Sequence, residues 1–240
     1  MTGTIVNASL IVFGSGFYLL RRRELSLENQ QITRVIIAGL VLFTGFRLIW
    51  ISLSGGFLHG TGQLGLVFVS LSLGKFLGNL LRIQIGFNRV AQFAKEKLTQ
   101  SADTKHPARS NSGFLVATAL FCATPLAIIG GLVEGASGNY LPLLIKSMMD
   151  GMATISFTRT FGLSVALSAI PVLALQGTLT LLSRYWMVHS ASEASIDALL
   201  ATAGCLVFTV ILLAFGIQRV RLGDYLPSLL LAPLLAQIWW

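Results

Sequence analysis

The sequence predicts an all-α membrane protein, a polytopic bundle of transmembrane helices in which residues 1–240 form a single integral membrane domain. Of the 240 residues, 54% are hydrophobic and only 11% are charged, whereas a soluble domain has roughly a quarter charged residues. Apolar stretches close to the roughly 20 residues that cross a bilayer core of about 30 Å recur along the whole chain. Because lipid offers the backbone no hydrogen-bond partner, these stretches must be helices or be shielded by helices.

Eight apolar stretches are candidate spans. In chain order they cover residues 4–20, 32–53, 63–81, 114–133, 140–157, 163–182, 196–217 and 225–240. The first, fifth and eighth are short or interrupted by polar groups, so seven spans is the alternative. The first stretch is followed, not preceded, by three arginines, which is typical of a reverse signal anchor and not of a cleaved signal peptide.

The basic residues test this arrangement independently, because cytoplasmic loops are enriched in lysine and arginine. With the amino terminus outside, the inner loops and their edges hold thirteen of the 17 bases, namely Arg21, Arg22, Arg23, Arg34, Arg82, Arg89, Lys95, Lys97, Lys105, Arg109, Arg159, Arg219 and Arg221. Eight spans then place both termini outside. We expect a multi-pass protein of the bacterial cytoplasmic (inner) membrane, with the lipid bilayer as its main partner.

Residues 83–112 are the sizeable polar region of the sequence, a basic cytoplasmic loop. At its start an apolar residue recurs every three or four positions, at Ile83, Phe87, Val90, Ala94 and Leu98. This spacing predicts an amphipathic helix lying on the inner leaflet, where its basic residues would attract anionic lipids. Aromatic residues do not alternate with the basic ones, so we expect no nucleic acid as a partner.

Lys146 and Asp150 are charged residues inside the fifth predicted span, where a charge costs about 2.5 kcal/mol or more. Because they stand four residues apart, they share a helix face and can neutralise each other. The sequence supports two interpretations equally. The pair is either an ion- or proton-coupled site or a structural pair that stabilises the bundle. Glu134, at the outer end of the fourth span, is a weaker candidate because we expect solvent to reach it.

Helix breakers lie at membrane depth in two spans. Pro125 with Gly130 and Gly131 interrupts the fourth span, and Pro171 with Gln176 and Gly177 interrupts the sixth. Interrupted helices expose backbone groups to substrates in many transporters, although proline is also common in membrane helices without that role. Polar side chains within spans either contact a solute or join helices. The candidate binding residues are therefore Lys146, Asp150, Asn7, Pro125, Gly130, Gln176, Ser168 and Glu134.

A faint internal repeat relates two parts of the sequence. The first and second spans are echoed by the sixth and seventh, with Gly16 matching Gly177 and Gly39 matching Gly204. Five spans separate the starts of the copies, so the copies would have opposite orientations in the membrane. The sequence thus suggests an inverted repeat with interrupted helices, although short apolar matches also arise by chance.

Several sequence blocks, in order along nearly the whole chain, resemble a known family. They are Gly3-Thr4-Ile5-Val6-Asn7, Ala119-Leu120-Phe121-Cys122, Ile129-Gly130-Gly131-Leu132-Val133-Glu134-Gly135, Lys146-Ser147-Met148-Met149-Asp150, Ser168-Ala169-Ile170-Pro171, Gln176-Gly177 and Tyr225-Leu226-Pro227. The chain resembles the YqgA/YdfK-like family of uncharacterised bacterial integral membrane proteins (domain of unknown function 554). The resemblance implies a multi-span inner-membrane protein in a family described as uncharacterised or transport-related, and it supplies no catalytic residues.

The chain departs from this family's pattern at three positions. Members often have an acid just after the glycine pair of the third span and another a few residues later, where this chain has Asn79 and Gln84. It has Asp224 where asparagine is usual. If those acids serve ion coupling, that role has been lost or moved in this chain.

Two classes of function remain. A transporter or channel for a small solute or ion is favoured by the charges within spans and by the interrupted helices. A non-transport assembly or signalling partner is the alternative, favoured by the small residues Gly74 and Gly78 and by the basic loop. A homo-oligomer is left open.

We expect no enzyme and no cofactor. The chain has no HExxH or GxSxG motif, and His59, His106 and His189 fall in separate loops. Cys122 and Cys205 lie inside spans as free thiols without apparent further metal ligands, so a metal site stays undetermined.

Overall fold

The computed structural model describes residues 1–22, 26–53, 57–103, 109–214 and 220–239. The predicted all-α class is confirmed, since these residues are mostly helical and contain no β-strand. The α-helices are α1 (Thr2–Arg21), α2 (Leu27–Ser52), α3 (Phe57–Leu80), α4 (Ile83–Asp103), α5 (Arg109–Cys122), α6 (Pro125–Ser137), α7 (Leu141–Phe161), α8 (Ala169–Ser190), α9 (Glu193–Ala214), α10 (Leu222–Tyr225) and α11 (Ser228–Trp239), with a 3₁₀ helix at Leu163–Ser168 before α8.

Fewer helices qualify as spans than the eight predicted. In the described part of the chain, five helices are long and apolar enough to cross a membrane, or six if the bent pair α5 and α6 forms one span. The fifth predicted span, α7, has charged residues that lower its hydropathy, including Lys146 and Asp150. The eighth ends in α11, which has only 12 residues, whereas a crossing helix needs roughly 20.

Helix α7 nevertheless runs alongside α1 in the same direction. Gly3 packs against Leu143, and a Cβ at Gly14 would lie 2.6 Å from the carbonyl oxygen of Gly151. Further along both helices, the Thr158 hydroxyl donates to the Ser15 oxygen at 3.0 Å. This close, small-residue contact is typical of helices that associate in membranes, and it buries the charged face of α7 inside the bundle.

Three further helix pairs pack antiparallel. In α2 and α9, Gly45 lies against Phe208 and Gly204 against Ile49, while in α3 and α11, Gly74 lies against Ser228. Helix α8 lies antiparallel to α1, as hydrogen bonds described below show. In the suggested repeat, α1 corresponds to α8 and α2 corresponds to α9. The two helices of each pair contact each other and run in opposite directions, and the repeat itself stays a prediction.

The chain breaks at two places inside the bundle. Helices α5 and α6 meet at an angle of 58° between Cys122 and Pro125, and Pro125 is the first residue of α6, where no backbone N–H is needed. Gly130 and Gly131 are regular members of α6. The prediction that Pro171, Gln176 and Gly177 interrupt the sixth span is wrong. The irregular stretch is the preceding 3₁₀ helix, and Pro171 lies in the first turn of α8, which proline tolerates.

The predicted amphipathic helix corresponds to α4, which is longer than the initial repeat suggested. Its Ala94 is buried and belongs, with Leu98, to an apolar cluster that includes Val116 and Ala117 of α5. Its position on a membrane surface stays a prediction. Lys105 and His106 lie outside the described residues, as do Arg23, Arg219 and Trp240, and the side chain of His59 is not described either.

Candidate functional site

Lys146 and Asp150 form a buried ion pair near the middle of α7. The Lys146 Nζ lies 2.5 Å from Asp150 Oδ2, and the two residues are only 2% and 6% exposed. Asp150 lies about 15 Å from either end of the helix at 1.5 Å per residue. Burying two charges is offset only when each finds its partner and further hydrogen bonds, so the pair needs support from neighbouring helices.

Asn7 and Gln176 supply that support from two other helices. The Asn7 Nδ2 of α1 donates to Asp150 Oδ2 at 3.1 Å and to Gln176 Oε1 of α8 at 3.1 Å. Both amide side chains are fully buried. Asn7, Lys146, Asp150 and Gln176 are called the polar cluster below, and they join α1, α7 and α8 at one point.

Two atoms of the polar cluster have no hydrogen-bond partner among the described residues. They are the acceptor Asn7 Oδ1 and the donor Gln176 Nε2, both buried. The carboxylate fixes the orientation of the Asn7 amide, because Asp150 Oδ2 must face the Nδ2 group and not another oxygen. Buried polar groups are nearly always paired with protein or water. A donor and an acceptor left unpaired side by side therefore fit a small polar guest, such as water or a solute.

Glu134 forms a second buried polar group next to the polar cluster. Its carboxylate accepts hydrogen bonds from the Gly3 N–H at 2.7 Å and the Thr4 hydroxyl at 3.1 Å, and the Met1 amine lies 3.2 Å away. The expectation that solvent reaches Glu134 is wrong, since the residue is 4% exposed. The Glu134 carboxylate acts as a side-chain cap for α1, because it accepts hydrogen bonds from backbone amides that have no partner at the start of the helix.

Thr4 connects Glu134 to α8, because its hydroxyl also lies 3.4 Å from the Thr180 hydroxyl. Neither threonine was a sequence candidate. Threonine is common within spans and has no distinguishing local pattern there, so no sequence signal identifies these two. With the Asn7–Gln176 bond, this contact shows that α1 and α8 run antiparallel.

The helix break between α5 and α6 lies close to the polar cluster. Cys122, the last residue of α5, is within electrostatic range of both Lys146 and Asp150. The end of one helix leaves carbonyl groups without intrahelical partners, and the start of the next leaves N–H groups. Pro125 is the first residue of α6, three residues after Cys122, and its part in a binding site stays a prediction.

The other sequence candidates have local structural roles. The Ser168 hydroxyl donates to the Val165 carbonyl at 2.7 Å, within the 3₁₀ helix. Gly130 allows the side chain of Leu143 to pack directly on α6. The structure thus brings together four of the eight candidates in the polar cluster, with Glu134 linked to the same helices α1 and α8 through Thr4.

Two of the three positions that depart from the family pattern, Gln84 and Asp224, meet in space. The backbone N–H of Gln84 donates to Asp224 Oδ1 at 3.1 Å, and the Gly223 N–H donates to Gln84 Oε1 at 2.9 Å. The resemblance implies an acid at position 84 and an asparagine at position 224, whereas this chain has an amide and an acid there.

No group of three His, Cys, Asp or Glu residues that could hold a metal ion occurs within the described ranges. The two cysteines, Cys122 and Cys205, are both free thiols. The polar cluster offers one carboxylate, one ammonium and two amides, which suits hydrogen bonding and ion pairing more than metal chelation.

Comparisons with known proteins agree with the resemblance in the sequence. The family model described as "Protein of unknown function (DUF554)" matches residues 2–237. The uncharacterized membrane protein YdfK of Bacillus subtilis (strain 168) is 28% identical over 236 residues, covering 97% of this chain and 94% of YdfK. The uncharacterized protein YqgA of Escherichia coli (strain K12) is 26% identical over 240 residues, covering 99% and 97%. No solved structure matches. This chain therefore belongs to the DUF554 family of proteins and is a membrane protein with several candidate spans.

Proposed function

We propose that this protein moves a small solute or ion across the bacterial inner membrane and that the polar cluster is its binding site. The observation behind the proposal is the unpaired donor and acceptor, Gln176 Nε2 and Asn7 Oδ1, beside a buried ion pair. Each unpaired buried polar group costs about 1–3 kcal/mol, so two such atoms beside the ion pair favour a bound guest over a purely structural cluster.

The surroundings of the cluster favour passage over a static role. The α5–α6 break places two helix ends near Lys146 and Asp150, an arrangement that many transporters use to bind substrate at the midplane. Small-residue contacts between α1 and α7, as at Gly14 and Gly151, bring the helices close together without interlocking large side chains.

The proposal includes an orientation. Arg21, Arg22 and Arg159 lie at the ends of the parallel helices α1 and α7, so these bases share one end of the bundle. Cytoplasmic loops are enriched in such residues, which supports placing this end in the cytoplasm and the Glu134 end outside. We likewise propose that the protein is not an enzyme and that it does not bind nucleic acid.

The alternative, an assembly partner, loses its main support in the structure. Gly74 and Gly78 suggested a docking face for another helix, but this chain's own Ser228 and Asp224 pack against them. The small-residue contact is therefore used within the molecule.

Reconstituted proteoliposomes test the proposal. We expect a flux of sodium, protons or a neutral solute above that of empty liposomes. Asp150→Asn should reduce this flux at least about tenfold, which corresponds to about 1.4 kcal/mol. Glu193→Gln, an exposed acid at the start of α9, is the control and should keep wild-type flux. A flux that Asp150→Asn leaves unchanged would remove the cluster from the pathway, and no flux of any tested solute would remove the transport proposal.

A further inference from the structure

A cleft of about 610 Å³ opens between the first turns of α2 and the second half of α7. Its volume lies within the range of small-molecule sites, about 300–1,000 Å³. It lies apart from the polar cluster, since Lys146 and Asp150 are not among its lining residues. We call it the α2–α7 cleft and define it by Gln31, Arg34 and Ala38 on α2 and by Met149, Met152 and Ser156 on α7.

The two ends of the α2–α7 cleft differ in chemistry. Gln30, Gln31 and Arg34 of α2 supply amide groups and a guanidinium at one end, and Arg34 is exposed to the cleft's surroundings. The rest of the wall is mainly aliphatic, with Met149 and Met152 on α7. A ligand that fits must therefore combine an anionic or polar head with an apolar body.

The polar end of the cleft coincides with the basic end of the bundle. Helix α2 begins where α1 ends at Arg21, and Arg159 lies in the last turn of the parallel helix α7. From Arg159 back to Met149 is ten residues, or about 15 Å, which is half of a bilayer core of about 30 Å. The wall of the cleft on α7, from Ser156 to Met149, covers about 10 Å of this depth.

A second, smaller cleft lies next to the α2–α7 cleft, on the side of α7 that faces α1. It has a volume of about 260 Å³, is lined by α1, α2 and α7, and shares Met152 and Ile155 with the α2–α7 cleft. Thr33, the neighbour of Arg34, lies at this second cleft. Two apolar channels, one in each cleft, therefore lie on adjacent faces of α7 and meet at Met152 and Ile155.

We infer that an anionic diacyl phospholipid occupies the α2–α7 cleft, with its phosphate on Arg34 and one acyl chain in each of the two channels. The guanidinium donates two parallel hydrogen bonds to a phosphate, which a neutral side chain cannot replace. The amide of Gln31 supplies further donors at the head position. Met149 and Met152 have unbranched side chains that adapt to a flexible chain. The inference is independent of the proposed transport.

Lipid binding to the purified full-length protein tests this inference. Phosphatidylglycerol and phosphatidylcholine with identical chains are added to the detergent-solubilised protein, and retained lipid is measured by native mass spectrometry and by thermal shift. Both lipids carry the phosphate, but the quaternary ammonium of phosphatidylcholine cancels its charge and is repelled by the Arg34 guanidinium. We therefore expect phosphatidylglycerol to bind at least about tenfold more tightly. Equal binding of the two lipids by the wild-type protein would overturn the inference without any variant. In a third experiment, glycerol 3-phosphate alone is added to the protein. If it stabilises the protein as much as the lipid does, the cleft binds a free phosphate and the inference of a bound lipid is overturned.

Two pairs of variants locate the site. Arg34→Gln should abolish the preference for phosphatidylglycerol, whereas Arg47→Gln, an exposed arginine near the other end of the same helix, should keep it. Ser156→Trp fills the cleft from an exposed position and should weaken binding about tenfold, which is about 1.4 kcal/mol. Ser72→Trp, at an exposed serine of α3, is its control. If each variant binds like its control, the cleft is not the lipid site.

Discussion

The side chains of Gln84 and Asp224 each cap the helix to which the other belongs. Asp224 Oδ1 accepts the Gln84 N–H in the first turn of α4, and Gln84 Oε1 accepts the Gly223 N–H in the first turn of α10. Helix starts leave four N–H groups without intrahelical partners, and here two starts satisfy one N–H each reciprocally. The contact fixes the start of α4 against α10, which in turn packs on α3.

This contact predicts that the acid can be moved from one side to the other. Gln84→Glu alone places a second carboxylate beside the buried Asp224, which is 3% exposed. This variant should lower the free energy of unfolding by about 1–3 kcal/mol through lost hydrogen bonding and repulsion. Adding Asp224→Asn restores one acid and one amide. We expect the double variant to recover most of the lost thermal stability in detergent. If the two changes are additive, the side chains are not coupled.

The polar cluster shows what the sequence could and could not predict. The Lys146–Asp150 pair follows from spacing alone, because residues four apart share a helix face. Asn7 and Gln176 were candidates individually, but they are 169 residues apart in sequence. Their meeting depends on how α1, α7 and α8 pack, which no local pattern specifies. The Thr4–Glu134 contact could not be predicted for the same reason.

Five or six helices of the described residues are long and apolar enough to cross a membrane, fewer than the eight predicted. The difference has a physical reason, since α7 contains charges that pair inside the bundle and lower its hydropathy, and α11 has only 12 residues. The break at Pro125 was predictable because proline has no N–H for an intrahelical bond. At Pro171 the same rule misled, since the first turn of α8 needs no such bond.

Removing one partner of the buried ion pair should be worse than removing both. Lys146→Met leaves Asp150 charged and unpaired, which is expected to destabilise the protein by about 3–5 kcal/mol. The double variant with Asp150→Leu leaves no unpaired charge and should be more stable than the single variant, as measured by thermal unfolding. A double variant that is less stable than Lys146→Met would contradict this account of the pair.

The double variant also separates the structural role of the pair from the functional one. It should fold yet show no solute flux in proteoliposomes, because the charges that bind a solute are gone. Wild-type flux in the folded double variant would mean that the pair only stabilises the bundle.

The contact between α1 and α7 requires a glycine at position 14. A Cβ there would lie 2.6 Å from the Gly151 oxygen, whereas a Cβ at Gly16 would have no neighbour within 4 Å. Gly14→Ala should destabilise the protein by about 1–3 kcal/mol through overpacking. Gly16→Ala is the matched control on the same helix and should be neutral or stabilising by about 0.5–1 kcal/mol, because glycine weakens a helix. Equal melting temperatures for the two variants would show that α1 and α7 are not in close contact.

Glu134 should stabilise the start of α1 through its hydrogen-bonding oxygens. Met1, the residue before α1, makes no side-chain cap, so Glu134 alone among the described side chains accepts the Gly3 and Thr4 N–H groups. Glu134→Ala should cost about 1–2 kcal/mol, the usual effect of losing a helix cap. Glu134→Gln keeps one acceptor and should lose less. Hydrogen exchange at the amides of Gly3 and Thr4 measures the effect directly, and we expect faster exchange there in Glu134→Ala. Unchanged exchange at these two amides would show that the carboxylate does not cap α1, whatever the change in overall stability.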